Sequence, residues 1–255
     1  MLSTPAALAH WNPHLLLEPA AFMVGGLLYW RGSNSNHSAR LPDATSRWAV
    51  IAGAALGAAI GSRLLYVLEY WTALQAQPWT MWLGGKTLVG ALLGGLAGVE
   101  VAKLASGWRH STGDGFVTPL LVAMVIGRLG CQLSTVTDQT YGNPTTLPWA
   151  WDFGDAVPRH PTSLYEIIGL SGLAWLIQRA RFTRQPGDRF RLFMVGYLLL
   201  RLALEFLKPP FGPTAVGALA PDRWGPLTAI QWACIAGLAY YFPTSRRWLT
   251  RAQGA

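Results

Sequence analysis

The sequence predicts an all-α polytopic membrane protein with about seven transmembrane helices, its N-terminus outside and its C-terminus cytoplasmic. Three observations lead there. Hydrophobic residues fill 51% of the 255 positions and charged residues 13%, against roughly 25% charged in a soluble domain. The apolar residues gather into windows of about 20 residues, enough to cross a hydrocarbon core. The basic residues gather between those windows, in alternate gaps.

The first window runs from His14 to Trp30, with Pro19 near its start. No Lys or Arg precedes it in Met1 to Asn12, so it is read as a retained helix and not as a cleaved signal peptide. A short polar linker, Gly32 to Ser38, follows. The second window, Trp48 to Tyr70, carries Gly53, Gly57 and Gly61, and the third, Lys86 to Ala105, carries Gly90, Gly94 and Gly98. Glycine at every fourth position leaves a smooth groove along one helix face, which predicts close backbone packing. The remaining windows are Phe116 to Leu133, Thr162 to Gln178, Phe190 to Leu207 and Pro226 to Phe242. No soluble domain or inverted repeat interrupts them, and residues 1–255 read as one membrane-embedded domain.

Orientation follows from the loops. Arg31, Arg40 and Arg47, then Lys103 and Arg109, then Arg179, Arg181, Arg184, Arg189 and Arg191, then Arg246, Arg247 and Arg251 share one side. The alternate loops hold only Lys86, Arg159, Lys208 and Arg223, so the Ser134 to His160 loop is expected outside. The net charge of +8 thereby reflects membrane topology and attraction to anionic lipid heads, with no support for a nucleic-acid partner. Cys131 and Cys234 both fall in helices, and no His or Cys cluster has ligand spacing, so neither a disulfide framework nor a metal or redox cofactor is expected.

Arg63, Arg128 and Arg201 sit inside the apolar windows. Each costs roughly 2.5–3.5 kcal/mol to insert at mid-membrane, so they must face partners, water or an anion. Tyr197, Arg201 and Glu205 recur every four residues and form a polar seam along the sixth window, with Arg201 able to pair with Glu205. Glu69 and Glu100 lie toward window ends and read as interfacial anchors. From the residues alone the seam has two readings: internal salt bridges that hold helices together, or arginines that hold a phosphate or carboxylate. A channel or transporter path would also carry intramembrane charge.

The motifs separate these readings. Arg159-His160-Pro161-Thr162-Ser163-Leu164-Tyr165-Glu166 opens the fifth window, while Gly127-Arg128-Leu129-Gly130 closes the fourth with Tyr141-Gly142-Asn143-Pro144-Thr145 beyond it. With Gly61-Ser62-Arg63-Leu64-x-Tyr66, Gly196-Tyr197-x3-Arg201-x3-Glu205-Phe206 and Leu227-Thr228-x2-Gln231-Trp232, they resemble signatures of the bacterial phosphatidylglycerol:prolipoprotein diacylglyceryl transferases.

The resemblance implies a seven-helix, multi-pass enzyme of the bacterial cytoplasmic (inner) membrane. It would move a diacylglyceryl group from phosphatidylglycerol to the lipobox cysteine of a preprolipoprotein signal peptide and release glycerol phosphate. By motif position, Arg128 and Arg201 would stabilise the phosphate, Tyr197 would hydrogen-bond it or assist proton transfer, and Glu205 would orient Arg201. His160 is a candidate for the proton transfer. Arg63, Gly127, Gly130, Gly142, Tyr165 and Glu166 would shape the substrate site, Gly142 in the outer loop that closes over the lipid head. Arg128, Arg201 and Glu205 are expected to converge on one cavity open to lipid, with Val89 on its wall.

The chain departs from the family pattern at three places. Val89 stands where the family's third helix carries a histidine, and valine cannot move a proton. Cys131 and Gln132 follow Gly130 where the family has Asn-Phe, and the Ser134 to Gly142 stretch is longer than usual, so Asp138 aligns only loosely with the family's acidic residue. These departures keep open a transferase using another proton acceptor, one with a different donor or acceptor molecule, and an inactive relative that binds anionic phospholipid.

Overall fold

The computed structural model describes residues 2–3, 13–35, 44–108, 110–134, 140–180, 185–208 and 221–252. Within these the chain is mostly helical. The long helices are α1 (His14–Ser35), α2 (Ala44–Glu69), α5 (Leu88–Ala105), α6 (Asp114–Leu133), α7 (Thr162–Arg179), α8 (Asp188–Glu205) and α9 (Ala229–Ala252). They match the apolar windows one for one. Among the described residues three segments, 47–69 in α2 together with α5 and α6, are long and apolar enough to cross a membrane by length and composition.

The loops of this mostly helical chain carry short elements that the sequence reading did not expect. Two short helices, α3 (Trp71–Gln75) and α4 (Trp79–Gly84), join α2 to α5. Strand β1 (Leu2–Ser3) pairs in parallel with β2 (Trp151–Asp152), and β2 pairs antiparallel with β3 (Pro158–Arg159). A separate antiparallel pair, β4 (Arg223–Trp224) and β5 (Leu227–Thr228), precedes α9. Connecting backbone must find partners for its own N–H and C=O groups, and two-residue ladders supply them without any periodicity a sequence could display. The stretch read as a linker after Trp30 also begins as helix, because α1 continues through Gly32 to Ser35. Asp138, Arg40, Arg109, Arg181 and Arg184 lie outside the described residues.

The glycine ladders meet as expected. Gly53 faces Gly98, Gly57 faces Gly94 and Gly61 faces Gly90, so α2 and α5 run antiparallel with their backbones in contact. A methyl group at Gly57 would collide with the carbonyl oxygen of Gly94. One turn beyond the ladder the seam is closed by hydrogen bonds: the Thr87 N–H donates to Ser62 Oγ and the Thr87 hydroxyl to the Ser62 carbonyl, both at 3.0 Å.

Elsewhere single glycines accept large neighbours. Gly25 of α1 packs on Ala123 and Pro119 of α6, with Tyr29 stacked on Phe116 at 4.4 Å. Gly169 of α7 receives Leu200 of α8, Gly196 of α8 receives Leu173 of α7, and Gly237 of α9 receives Leu198. One continuous apolar cluster results, including Leu65, Val89, Leu121, Met124, Leu170, Phe193, Tyr197, Leu198 and Cys234. Cys234 is fully buried there, as expected of a packing residue.

Two helix starts are capped by carboxylates from other helices. Asp114, in the first turn of α6, accepts from the Gly187 N–H at 2.7 Å and the Phe190 N–H at 2.9 Å, at the start of α8. Glu69 accepts from the Ile230 N–H of α9 at 2.8 Å. These groups satisfy donors that a helix cannot satisfy itself and place negative charge at the positive end of its dipole. Glu69 is therefore not an interfacial anchor: it is 2% exposed and joins the end of α2 to α9. Glu100 differs, with a half-exposed side chain paired to Lys103 at 2.9 Å.

Candidate functional site

Three helices bring buried charge together. On α6 the residues Val117, Leu121 and Met124 form a stripe that faces the core, and Arg128 continues it by one turn. On α7 a similar stripe comprises Ser163, Glu166, Leu170, Leu173 and Ile177. On α8 the seam of Tyr197, Arg201 and Glu205 turns inward, with Tyr197 0% and Arg201 7% exposed. The polar members of the three stripes lie at one level and meet.

Glu166, 2% exposed, is their centre. Its Oε1 accepts from the Tyr197 hydroxyl at 3.2 Å. Its Oε2 accepts from Arg201 Nη1 at 3.3 Å and lies 3.0 Å from Arg128 Nε, an ion-pair contact whose N–H is not aligned as a hydrogen bond. Arg201 Nη2 forms an ion pair with Glu205, and Lys208 Nζ stands 3.7 Å from the same carboxylate. Three cations thus surround two carboxylates. Arg128 Nη1 also donates to Cys131 Sγ at 3.5 Å.

A loop folds over the Glu205 end of this cluster. The Asn143 N–H donates to the Leu207 carbonyl at 2.7 Å, the Gly142 N–H to the His160 carbonyl at 2.9 Å, and the His160 N–H to the Asn143 carbonyl at 3.0 Å. Tyr165 Oη ties the loop to α7, accepting from Trp149 Nε1 at 2.7 Å and lying 3.2 Å from His160 Nδ1. Arg159 reaches Asp155 at 2.5 Å and lies over the Tyr141 ring at 4.6 Å. The guanidinium holds the Asp155 carboxyl below its ordinary range, and burial pushes the Tyr141 phenol up.

Gly142 is where this loop is tightest. A methyl group there would lie 2.7 Å from His160 Cβ, 2.8 Å from Thr162 Cγ2 and 2.9 Å from the Leu207 carbonyl oxygen. Overpacking of this kind costs about 1–3 kcal/mol. Gly142→Ala should therefore loosen the loop, seen as faster limited proteolysis between residues 140 and 162 and a lower specific activity. Unchanged cleavage and activity would mean that the loop yields without cost.

Not every candidate joins the cluster. Arg63 of α2 makes no ion pair with Glu166 or Glu205. Gly127 has open space around it, and Gly130 faces Leu17 and His14 of α1. Val89, 1% exposed, lies within the apolar cluster that also contains Tyr197. A 680 Å³ cavity among α2, α5, α6, α8 and α9 is lined by residues such as Ala58, Gly95, Lys103, Phe116 and Arg191, and not by Arg128, Arg201 or Glu205. A buried guanidinium left unpaired is costly, so the arginines close on the nearest carboxylates. Among the described residues no three His, Cys, Asp or Glu side chains gather as metal ligands do.

Sequence reasoning overlooked Lys208 as a member of the site and left the burial of Gln132 unread. Lys208 read as a loop cation, although its spacing of three from Glu205 was a signal. Gln132, 5% exposed, lies one turn beyond Arg128 and was noted only as a departure from the motif.

The sequence profile for prolipoprotein diacylglyceryl transferase matches residues 16–242. The chain belongs to that family. Among similar proteins, one from Bordetella avium is 28% identical over 93% of this chain and 91% of its own length. One from Methylococcus capsulatus is 34% identical over 71% and 70%, and one from Nitratidesulfovibrio vulgaris (strain DSM 19637 / Miyazaki F) is 35% identical over 74% and 69%. Each of these three relatives is named a phosphatidylglycerol–prolipoprotein diacylglyceryl transferase. The matched span runs from α1 into α9, so it contains Arg128, Glu166, Tyr197, Arg201, Glu205 and the Gly142 loop.

Proposed function

We propose that this protein transfers the diacylglyceryl group of phosphatidylglycerol to the lipobox cysteine of a prolipoprotein, the activity in the names of its relatives. The observation that carries the reading for this chain is the buried cluster in which Arg128, Arg201 and Lys208 outnumber Glu166 and Glu205. In the reaction the cysteine sulfur attacks the glyceryl carbon that bears the phosphate. A C–S bond forms, the C–O bond to phosphate breaks, the thiol proton goes to a base, and glycerol phosphate departs.

Negative charge grows on the departing phosphate oxygen, and guanidinium groups fixed in a low-dielectric site stabilise it without reorganisation. Arg128 and Arg201 take that role, Glu166 and Glu205 hold them in place, and Tyr197 fixes Glu166. Tyr197 donates its proton to Glu166 and is 0% exposed, which makes it a poorer acceptor for the thiol proton than His160. His160 Nδ1 lies 3.2 Å from Tyr165 Oη, and in the tautomer whose Nδ1–H donates to that hydroxyl Nε2 is the nitrogen that takes the proton. Gly142, Tyr165 and the loop around them would close over the head group.

The seven long helices support seven spans in one membrane domain, and the basic loops support a multi-pass inner-membrane protein with the N-terminus outside and the C-terminus cytoplasmic. The test is complementation: expression in cells depleted of their own diacylglyceryl transferase should restore growth and lipoprotein maturation. Val89, with no proton to move, favours one second reading, a relative that binds anionic phospholipid without turnover. In that case the membrane-expressed protein would co-purify with phosphatidylglycerol and leave a lipobox peptide unmodified by mass spectrometry.

A further inference from the structure

Gln132 is 5% exposed, and neither its amide oxygen nor its amide nitrogen has a hydrogen-bond partner. An amide offers two donors and a carbonyl oxygen with two lone pairs. Leaving such a group buried and unmade is costly, and native proteins retain few examples. At 100° per residue, position 132 lies four residues beyond Arg128 on the side of α6 that carries Val117, Leu121, Met124 and Arg128 toward the core. Gly130 points the opposite way, onto α1. Gln132 is thus on the phosphate-binding face of α6, one turn nearer the helix end from which the chain leaves for the Gly142 loop.

We propose that Gln132 binds the terminal glycerol of the donor lipid's head group and makes the site selective for a diol head; this rests on the phospholipid reading of the arginine cluster. Each hydroxyl of a diol both donates and accepts, and the amide can answer in both senses. A head alcohol without hydroxyls leaves the amide buried and unpaired, so the site discriminates against it. Glycerol phosphate presents the same diol, which would also hold the product.

The test compares phosphatidylglycerol with phosphatidylpropanol, which has the same charge and no head hydroxyls. Binding to the purified full-length protein is read by native mass spectrometry, and kcat/KM by transfer to a lipobox peptide. Wild type should prefer phosphatidylglycerol roughly tenfold in both measurements. Gln132→Met, of similar length and without hydrogen-bonding groups, should lose that preference through a higher KM for phosphatidylglycerol while phosphatidylpropanol is unaffected; Gln132→Leu serves if the methionine variant does not accumulate. Soluble glycerol phosphate should compete with phosphatidylglycerol for wild type about tenfold better than for the variant if the free diol is also bound.

An undiminished preference in the variants, or none in wild type, would overturn the proposal and leave Gln132 with a structural water. Absence of turnover in wild type with the binding preference intact would remove the transferase reading and leave the Gln132 assignment standing.

Discussion

Arg128→Ala and Arg201→Ala should each abolish rescue in the complementation assay while the variant proteins still reach the membrane. Removing one donor from a preorganised anion-stabilising site costs roughly 10²–10³ in rate, and slow lipoprotein maturation at that level does not sustain growth. Lysine should not restore Arg201. The guanidinium divides its nitrogens between two carboxylates on different helices, Nη1 toward Glu166 of α7 and Nη2 toward Glu205 of α8, and a single ammonium lacks that fork. Arg63→Ala gives the contrast, since Arg63 belongs to neither ion pair. Transfer of a diacylglyceryl group to a lipobox peptide, measured on equal amounts of purified variants, checks both statements; full activity in Arg201→Ala would remove the proposed role of the cluster.

Glu166→Ala should be the most destabilising single change in the site. The carboxylate is the shared partner of Arg128, Arg201 and Tyr197. Deleting it leaves two guanidinium groups facing each other in the interior, and removing one partner of a buried pair costs about 3–5 kcal/mol. Thermal unfolding in detergent should register the loss even where phospholipid is absent. Glu166→Gln keeps the shape and can still accept from Tyr197, so it should unfold between the alanine variant and wild type. Equal stability of all three would show that the arginines find other partners at no cost.

How much of this was legible beforehand depends on the range of the interaction. The ion pair between Arg201 and Glu205 could be read from a spacing of four along one helix. The ladder of Gly53, Gly57 and Gly61 against Gly90, Gly94 and Gly98 could be read from its period. Glu166 is different: its partners lie on α6 and α8, and no spacing states which faces of three helices will turn toward one another. Its motif drew attention to it without revealing that it links both arginines. Glu69 was misread because a carboxylate near a window's end has water within reach in a linear view, whereas the fold sets the start of α9 directly upon it. The two-residue strands carry no periodicity at all.

The unequal number of cations and carboxylates in the site also bears on how the product leaves. With side chains at their ordinary charges, Arg128, Arg201 and Lys208 against Glu166 and Glu205 leave one unit of positive charge. On the proposed reading, a phosphodiester head group with one negative charge would bring the site to neutrality. Cleavage would convert it to a phosphate monoester, with about −1.5 to −2 at neutral pH. The added charge is drawn to the same excess cation, so the product would be held at least as firmly as the lipid head. Release of glycerol phosphate would then be a step of its own, and slowing it would slow turnover without touching the chemistry.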